Sequence, residues 1–159
     1  MRVPTVALGL AALLGPASAL AQQAAEDEVV AVVYRFFDGM RAKDTTALRG
    51  LIHPSARLLG TGPNREGQLR VDEVAMDRFF QMVGSAPGKL DEKIWDPEVR
   101  IDGDLATVWT PYAFYLDGNF SHCGVDSFQL ARTAEGWKIV QIADTRRTAG
   151  CPTPPPHAK

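Results

Sequence analysis

The C-terminal half of the chain alternates apolar segments with short turn signals, and this pattern constrains the fold more than any other feature. The four apolar segments are 99–101, 105–116, 120–132 and 137–145. The turns between them are Asp102-Gly103, Asp117-Gly118-Asn119 and Ala134-Glu135-Gly136. Asp-Gly pairs supply the positive φ that tight hairpins require. The pattern therefore predicts a four-stranded antiparallel meander. Because the preceding half has helical patterns, we expect the sheet to pack on helices and, if curved, to enclose a pocket.

The N-terminal half predicts three helices with a short strand between the second and the third. From Glu26 to about Lys43, apolar residues recur at three- and four-residue spacing, as in an amphipathic helix: Val29, Val30, Val32, Val33, Phe36, Phe37 and Met40. Asp44 is the predicted cap of a short second helix that ends near His53-Pro54. The segments that follow are a strand at 56–59, a loop at 60–67, a third helix from Asp72 to Val83 and an extended segment at 89–95.

The first 21 residues have the pattern of a secretory signal peptide. Residues 3–20 carry no charge, follow a single Arg2 and end in Ala19-Leu20-Ala21. The alternative is a membrane anchor, but Gly9, Gly15 and Pro16 lower its hydrophobicity and the stretch is short for spanning a bilayer. We expect cleavage, a periplasmic or secreted protein without stable membrane insertion, and a single domain over 22–151.

The two cysteines lie in the part of the chain that we expect to be exported. Disulfides persist outside the cytosol, so we expect a bridge between Cys123 and Cys151, worth about 3 kcal/mol in the chain-entropy model. The alternative is two unpaired thiols. A metal site is poorly supported because only His122 is near either cysteine in the sequence. The proline-rich segment 152–159 predicts a disordered or polyproline tail.

Composition and missing motifs exclude several functions. The net charge of −2 argues against a nucleic-acid partner, since phosphate binding needs a basic face. The sequence has no zinc-type spacing, P-loop, glycine-rich dinucleotide fingerprint or Gly-x-Ser-x-Gly elbow. We therefore expect no cofactor, no metal, and neither nucleotide-driven chemistry nor covalent hydrolysis.

Several segments resemble the nuclear transport factor 2-like superfamily, which includes SnoaL-like and ketosteroid-isomerase-like proteins. The segments are 30–43, Leu51-Ile52-His53-Pro54, 122–130, 136–140 and Asp144-Thr145-Arg146-Arg147. The segments 122–130 and 144–147 resemble the branch labelled "putative lumazine-binding". The resemblance implies a cone-shaped α+β fold, with N-terminal helices packed on a strongly curved antiparallel sheet around a tapering pocket. Relatives include isomerases, dehydratases, cyclases, binding proteins and assembly domains, so the fold does not select a function.

His122 and Asp126 are the candidate catalytic residues. With a period of two they share one strand face with Phe120, Gly124 and Phe128. An aspartate on an apolar face needs a hydrogen bond or a shifted pKa, and a nearby imidazole would complete a proton-transfer pair. Four residues span about 13 Å at about 3.3 Å each, so direct contact requires a bulge at Gly124. The alternative is structural, with His122 at a rim and Asp126 as a hydrogen-bond anchor.

The candidate ligand-binding residues are two charged residues and a set of aromatic ones. Asp144 and Arg146, two apart on the last strand, are expected to pair with each other or with an anion. The aromatic candidates for a pocket that accepts a flat apolar molecule are Tyr34, Phe37, Trp109, Tyr112, Tyr115 and Phe128. Core packing is the alternative for these aromatic residues. Pro111 indicates an edge strand or a bulge. Beyond a bulge, the side chains that point inward can change from one alternate set of residues to the other.

Three functional hypotheses follow from these features. The first is an exported protein that binds a small apolar or aromatic molecule without transforming it. The second is a cofactor-free lyase or isomerase in which Asp126 is the general base. The third is a homodimeric assembly domain whose pocket is vestigial.

Overall fold

Three helices pack against a seven-stranded sheet in the structure, a computed structural model that describes residues 16–64 and 66–159. In chain order the elements are α1 (Pro16–Ala42), α2 (Thr45–Leu51), β1 (Ile52–Pro63), β2 (Leu69–Val74), α3 (Met76–Gly84), β3 (Leu90–Ile94), β4 (Glu98–Asp102), β5 (Leu105–Leu116), β6 (Asn119–Thr133) and β7 (Gly136–Thr145). Most of the predicted signal peptide at 1–21 lies outside the described residues. In the part of the chain described, no helix is both long and apolar enough to cross a membrane.

The sheet has the strand order β2-β1-β7-β6-β5-β3, with β4 also paired to β5. Strands β4 to β7 form the antiparallel meander that the turn signals predict, and Gly103, Gly118 and Gly136 have positive φ at its turns. The expected α+β fold of helices on a curved sheet is confirmed. The sheet is not wholly antiparallel, because β1 runs parallel to β7. These two strands are joined through the rest of the domain rather than by a hairpin, so their direction is not restricted by a tight turn.

The core lies between α1 and one face of the sheet, which we call the inner face. Its members on β5, β6 and β7 include Ala106, Val108, Thr110, Tyr112, Asp126, Phe128, Leu130, Ile139, Ile142 and Asp144. The rings of Phe36 and Phe37 on α1 each lie 5.8 Å from the ring of Phe128, in edge-to-face geometry. Except for Val30, which is half-buried, the apolar residues that predict α1 are buried, so its predicted amphipathic character is confirmed.

The region between α2 and α3 differs from the prediction. Asp44 caps α2 as expected, since its Oδ1 accepts from the backbone N–H groups of Thr46 and Ala47 at 3.1 and 2.9 Å. The predicted loop at 60–67 and the predicted start of the third helix at Asp72 are wrong, because 58–63 and 69–74 pair as antiparallel strands. Apolar and polar residues alternate over 69–72 with period two, which favours a strand.

Pro111 causes no inversion of parity in β5. Along the edge of β5 that faces away from β6, β4 pairs with 105–109 and β3 pairs with 112–116. Pro111 lies in the gap between these two partner strands. A proline has no N–H to donate, and this gap is a place where the ladder needs none. The pairing with β6 continues through Pro111, and its register shift occurs later, between Phe114 and Tyr115.

The segment after β7 is attached to the sheet by a disulfide and by backbone hydrogen bonds. The predicted bridge between Cys123 and Cys151 is present. The segment 152–159, for which the sequence predicts a disordered or polyproline tail, lies beside β3: Ile94 and Lys159 exchange two backbone hydrogen bonds of 2.9 and 3.0 Å. His157 contacts Asp96 at 3.0 Å. The prolines of this segment have no N–H to donate to a ladder, and the segment pairs with β3 through Lys159.

Removal of the disulfide should destabilise the domain without changing its fold. In the variant Cys123→Ala/Cys151→Ala, we expect the free energy of unfolding to fall by about 3 kcal/mol, because the bridge restricts the unfolded chain. Urea denaturation followed by circular dichroism measures this loss. Wild-type protein treated with a reductant is the control and should lose a similar amount. A loss below about 1 kcal/mol in both samples would contradict the expectation.

Candidate functional site

A cluster of polar side chains lies on the inner face, at the end of the sheet away from the phenylalanine core. We call it the inner-face cluster. It consists of Glu92, Tyr112, His122, Asp126, Asp144 and Arg146. Cross-strand pairing places these side chains together: Asp126 is opposite Asp144, and both Glu92 and His122 are opposite Phe114. Asp126 and Asp144 are buried, Glu92 and His122 are half-buried, and Arg146 is exposed.

The carboxyl groups of Glu92 and Asp126 are within hydrogen-bonding reach of each other. Burial raises the pKa of Glu92 to about 7, although its hydrogen bond with Asp126 acts in the opposite direction. Burial raises the pKa of Asp126 well above its ordinary value, and the charge of Glu92 raises it further. Above about pH 7 these two adjacent carboxyls therefore hold one proton between them. The hydrogen bond between them lowers the pKa of Glu92 and raises that of Asp126, so the buried Asp126 is the donor.

Asp144 joins Arg146 to Tyr112. The Arg146 guanidinium donates through Nε to Asp144 Oδ2 at 2.6 Å, and the Tyr112 hydroxyl lies 3.5 Å from the same oxygen. Tyr112 also donates to the backbone carbonyl of Thr145 at 2.9 Å. Burial raises the pKa of Tyr112, and the charge of Asp144 raises it further, so the phenol stays protonated. The pairing of Asp144 with Arg146 was one of the two expectations for these residues.

Gly124 allows these groups to approach one another. A Cβ at this position would collide with the carbonyl oxygen of Thr145 and would lie 2.7 Å from Cε1 of Tyr112. The end of β7 and the ring of Tyr112 therefore occupy the space that a side chain would fill. The bulge at Gly124 that direct contact between His122 and Asp126 would require does not occur. The irregularity in β6 lies beside His122, where Phe120 pairs with Tyr115 and His122 with Phe114.

His122 and Asp126 do not form the predicted dyad. Because β6 is regular between them, they remain apart and have different partners. His122 Nδ1 lies 3.0 Å from the hydroxyl of Ser121, and its ring lies 5.1 Å from the ring of Phe114. Burial lowers the pKa of His122, and the charge of Arg146 lowers it further. The imidazole is therefore neutral at neutral pH. The irregularity beside His122 also places Phe120 on the other face from His122, contrary to the expectation that they share one.

The structure does not bring the predicted aromatic residues into one pocket. Phe128 is fully buried in the core, and Trp109 is 52% exposed on the face opposite to the core. Tyr115 is also on that outer face, beside Phe120. Tyr34 and Phe37 line a separate cavity of about 470 Å³ between α1, β3 and the C-terminal residues. Of the six aromatic residues, only Tyr112 belongs to the inner-face cluster, because strand parity places Trp109 and Tyr115 on the outer side.

Glu92 is the member of the cluster that the sequence analysis missed. It lies between Leu90 and Ile94 at period two, in a segment for which extended structure was predicted. A carboxylate that shares a strand face with two apolar residues is the same signal that identified Asp126. The signal was available, but a five-residue strand is too short for its periodicity to stand out.

A cavity of about 170 Å³ lies beside the cluster, between the β1–β2 hairpin and Arg146. Its lining residues are Leu58, Gly60, Thr61, Gly62, Pro63, Asp72, Val74 and Arg146. Gly60 is paired with Asp144 across the parallel strands, and a Cβ on Gly60 would lie 3.2 Å from Asp144 Oδ1. In the described part of the chain, no partner donates a hydrogen bond to this buried oxygen, or to the buried Oδ2 of Asp126.

The cluster supplies a proton donor, hydrogen-bond acceptors and a cation in a small space. The Glu92–Asp126 pair can give up or accept one proton, and Arg146 can donate to a carbonyl. Among residues 16–64 and 66–159, no group of three or more His, Cys, Asp or Glu side chains is arranged to hold a metal ion.

The comparisons identify a family and a fold. The model of the family described as "Putative lumazine-binding" matches residues 24–143. No curated protein matches the chain. A solved NTF2-like protein with a cystatin-like fold from Novosphingobium aromaticivorans is 15% identical, with a TM-score of 0.67 over 89% of this chain and 94% of that one. A "putative dehydratase" of the NTF2-like family from Streptomyces avermitilis is 17% identical, with a TM-score of 0.63 over 80% and 99%. At these identities the similarity establishes the fold alone.

Substitution of Gly124 should disrupt the cluster and destabilise the domain. In Gly124→Ala, we expect the free energy of unfolding to fall by about 3 kcal/mol, because the new methyl group collides with backbone that is held in the sheet. Chemical denaturation measures this change. Gly50→Ala is the matched control, since a Cβ on Gly50 meets nothing within 4 Å. Equal stability of the two variants would show that the end of β7 can move away from β6.

The carboxyl pair predicts a stability that falls as the pH rises. The pKa of Glu92 is about 7 in the folded protein and about 4.3 in an unfolded chain, so between these values the folded state binds more protons. The free energy of unfolding should therefore decrease from about pH 4.5 to about pH 7. Glu92→Gln, measured by urea denaturation at several pH values, should flatten this slope. The control Glu98→Gln changes an exposed residue and should keep the wild-type slope. A wild-type slope in Glu92→Gln would show that Glu92 is not the group whose raised pKa causes the pH dependence.

Proposed function

Because the chain belongs to the family described as "Putative lumazine-binding", within the NTF2-like superfamily, we propose that it is an exported protein that binds a small organic molecule at the inner-face cluster. The proposal assumes no catalysis. The observation that carries it is the pair of buried oxygens, Asp126 Oδ2 and Asp144 Oδ1, that receive no hydrogen bond from the described residues. Burial of a polar atom without a partner costs free energy, and a bound molecule with a donor group would recover that cost.

Access to the cluster also supports binding. Glu92 and His122 are half-buried, and the side chain of Arg146 is 59% exposed, so these three side chains form a rim that solvent reaches. Asp126, Asp144 and Tyr112 lie beneath this rim. A polar rim above buried polar groups, next to an apolar core, suits a mostly apolar molecule that carries one polar end.

Export is part of the proposal. It is supported by the signal-like pattern of residues 1–21 and by the disulfide between Cys123 and Cys151, since such bonds persist in oxidising compartments. A periplasmic or secreted protein would meet its ligand outside the cytosol. The molecule retained during purification from that compartment is therefore the relevant one.

Proton transfer is the second candidate function, and a specific contact favours it. Asp126 is buried and lies within reach of a second titratable group, Glu92, whose pKa is about 7. A carboxyl pair that shares one proton at neutral pH can act as a general acid or a general base in an isomerase or a lyase. The phenol of Tyr112 and the guanidinium of Arg146 would then stabilise developing negative charge. The "putative dehydratase" with the same fold agrees with this chemistry.

Native mass spectrometry of the protein purified from its own compartment tests both functions. We expect a small molecule bound to the wild type and lost or weakened in Asp126→Asn, because the substitution replaces one acceptor oxygen of the carboxyl group with a donor NH2 group. Asp102→Asn, at an exposed position, is the control and should retain the molecule. Lumazine, which the family description names, is the first compound to compare with the retained mass.

Two other outcomes separate the functions. An empty wild type together with a molecule retained by Asp126→Asn would indicate a trapped substrate and favour proton transfer. If all three proteins are empty, the binding proposal is wrong. Retention of the molecule by all three, with equal occupancy, would place the binding site away from Asp126.

A further inference from the structure

The cavity beside Gly60 points to the kind of chemical group that the protein recognises. Resting on the proposed function, we propose that this cavity binds a neutral amide group, with its N–H donating to Asp144 Oδ1 and its carbonyl accepting from the terminal nitrogens of Arg146. The argument depends on which hydrogen-bonding positions of these two side chains remain available, and on the shape and charge of the surrounding cavity.

Asp144 has one oxygen in use and one available. Its Oδ2 accepts from Arg146 Nε at 2.6 Å, while Oδ1 receives no hydrogen bond from any described residue. The residue is only 7% exposed, so water cannot freely satisfy this oxygen. A carboxylate oxygen accepts hydrogen bonds and cannot donate them, so the group that completes it must be a donor.

Gly60 leaves space for that donor. A Cβ on Gly60 would lie 3.2 Å from Asp144 Oδ1 and would meet no other atom within 4 Å. Gly60 also lines the cavity of about 170 Å³. Asp144 does not itself line the cavity, so its available oxygen lies directly behind Gly60, the wall residue that has no side chain to cover it.

Arg146 supplies donors at the same cavity. Its Nε is used by Asp144, and in the described part of the chain Nη1 and Nη2 have no hydrogen-bond partner. Its side chain is 59% exposed and lines the cavity. A guanidinium presents its N–H groups in a fixed plane, so a carbonyl oxygen bound there would lie in the plane of the Asp144–Arg146 pair.

The pairing of charges selects a neutral group. Asp144 would repel an anion held by Arg146, and Arg146 would repel a cation held by Asp144, so each charge excludes one class of ion. Asp72, the other charged residue of the lining, is paired with Arg70 at 2.9 Å. An amide carries a donor and an acceptor side by side without net charge. Leu58, Pro63 and Val74 supply apolar walls for the rest of the molecule.

Three compounds with the same ring test this assignment. Benzamide carries both the N–H donor and the carbonyl, N,N-dimethylbenzamide lacks the donor, and benzoate carries a negative charge. We expect benzamide to perturb the Gly60 and Arg146 resonances of ¹⁵N-labelled protein, with the other two compounds binding about tenfold more weakly, the cost of one unsatisfied hydrogen-bonding group. Equal or tighter binding of benzoate, equal binding of all three compounds, or no binding of benzamide would overturn the proposal.

Matched glycine variants locate the site. Gly60→Ala fills the space beside Asp144 Oδ1 and should weaken benzamide binding about tenfold, whereas Gly50→Ala should leave it unchanged. Arg146→Lys, which keeps the charge but loses the planar set of donors, should weaken binding without altering the fold. Thermal unfolding of each variant separates loss of binding from loss of structure. Unchanged affinity in a folded Gly60→Ala would overturn the assignment.

The mass spectrum distinguishes failure of this inference from failure of the proposed function. If the wild type retains a molecule but benzamide does not bind, the amide assignment is wrong and the binding function stands. A retained molecule that has a carboxylate and no amide would have the same meaning. An empty wild type that nevertheless binds benzamide at Gly60 would support the cavity as a site and contradict the proposal that the cluster retains a small molecule.

Discussion

The close approach of the end of β7 to β6 at Gly124 is the constraint on which the polar site depends. Tyr112 donates to the carbonyl of Thr145, and the N–H of Val125 donates to the Thr145 hydroxyl at 3.0 Å. One step further on, Cys123 and Arg147 exchange two backbone hydrogen bonds, and the disulfide of Cys123 holds the segment that follows. These contacts determine the direction of the chain through 144–147, and therefore the positions of Asp144 and Arg146.

The inner face combines two environments that oppose each other energetically. At one end, aromatic rings from α1 and β6 pack in an apolar core, where Phe36, Phe37 and Phe128 exclude water. At the other end, the same face carries carboxyl groups that lose hydration when buried. The protein lowers this cost in two ways. Asp144 is neutralised by Arg146, and Asp126 keeps a proton that it shares with Glu92.

The helix α1 and the meander, which local patterns predict, agree with the structure, whereas β2 and the surroundings of His122 and Asp126 depend on distant partners. The three- and four-residue spacing through Val29 and Met40 places α1, and the Asp-Gly turns place the meander. The strand β2 was missed because its residues are almost all exposed, so its stability comes from pairing with β1 rather than from a buried face. The dyad of His122 and Asp126 required a bulge, and the irregularity occurs beside His122 instead.

The sequence by itself determined the helix α1, the meander and the presence of Asp126 on an apolar face, because periodicity and turn chemistry act between near neighbours in the chain. Only the tertiary structure decided which group faces Asp126. Glu92 lies on β3, two strand spacings from β6, and it is level with His122, four residues along β6 from Asp126. In a flat sheet the backbone positions of the two residues would be about 16 Å apart. They meet because the sheet is curved and their side chains converge on its inner face. Curvature is a property of the whole sheet packed on its helices, and no local segment of the sequence encodes it.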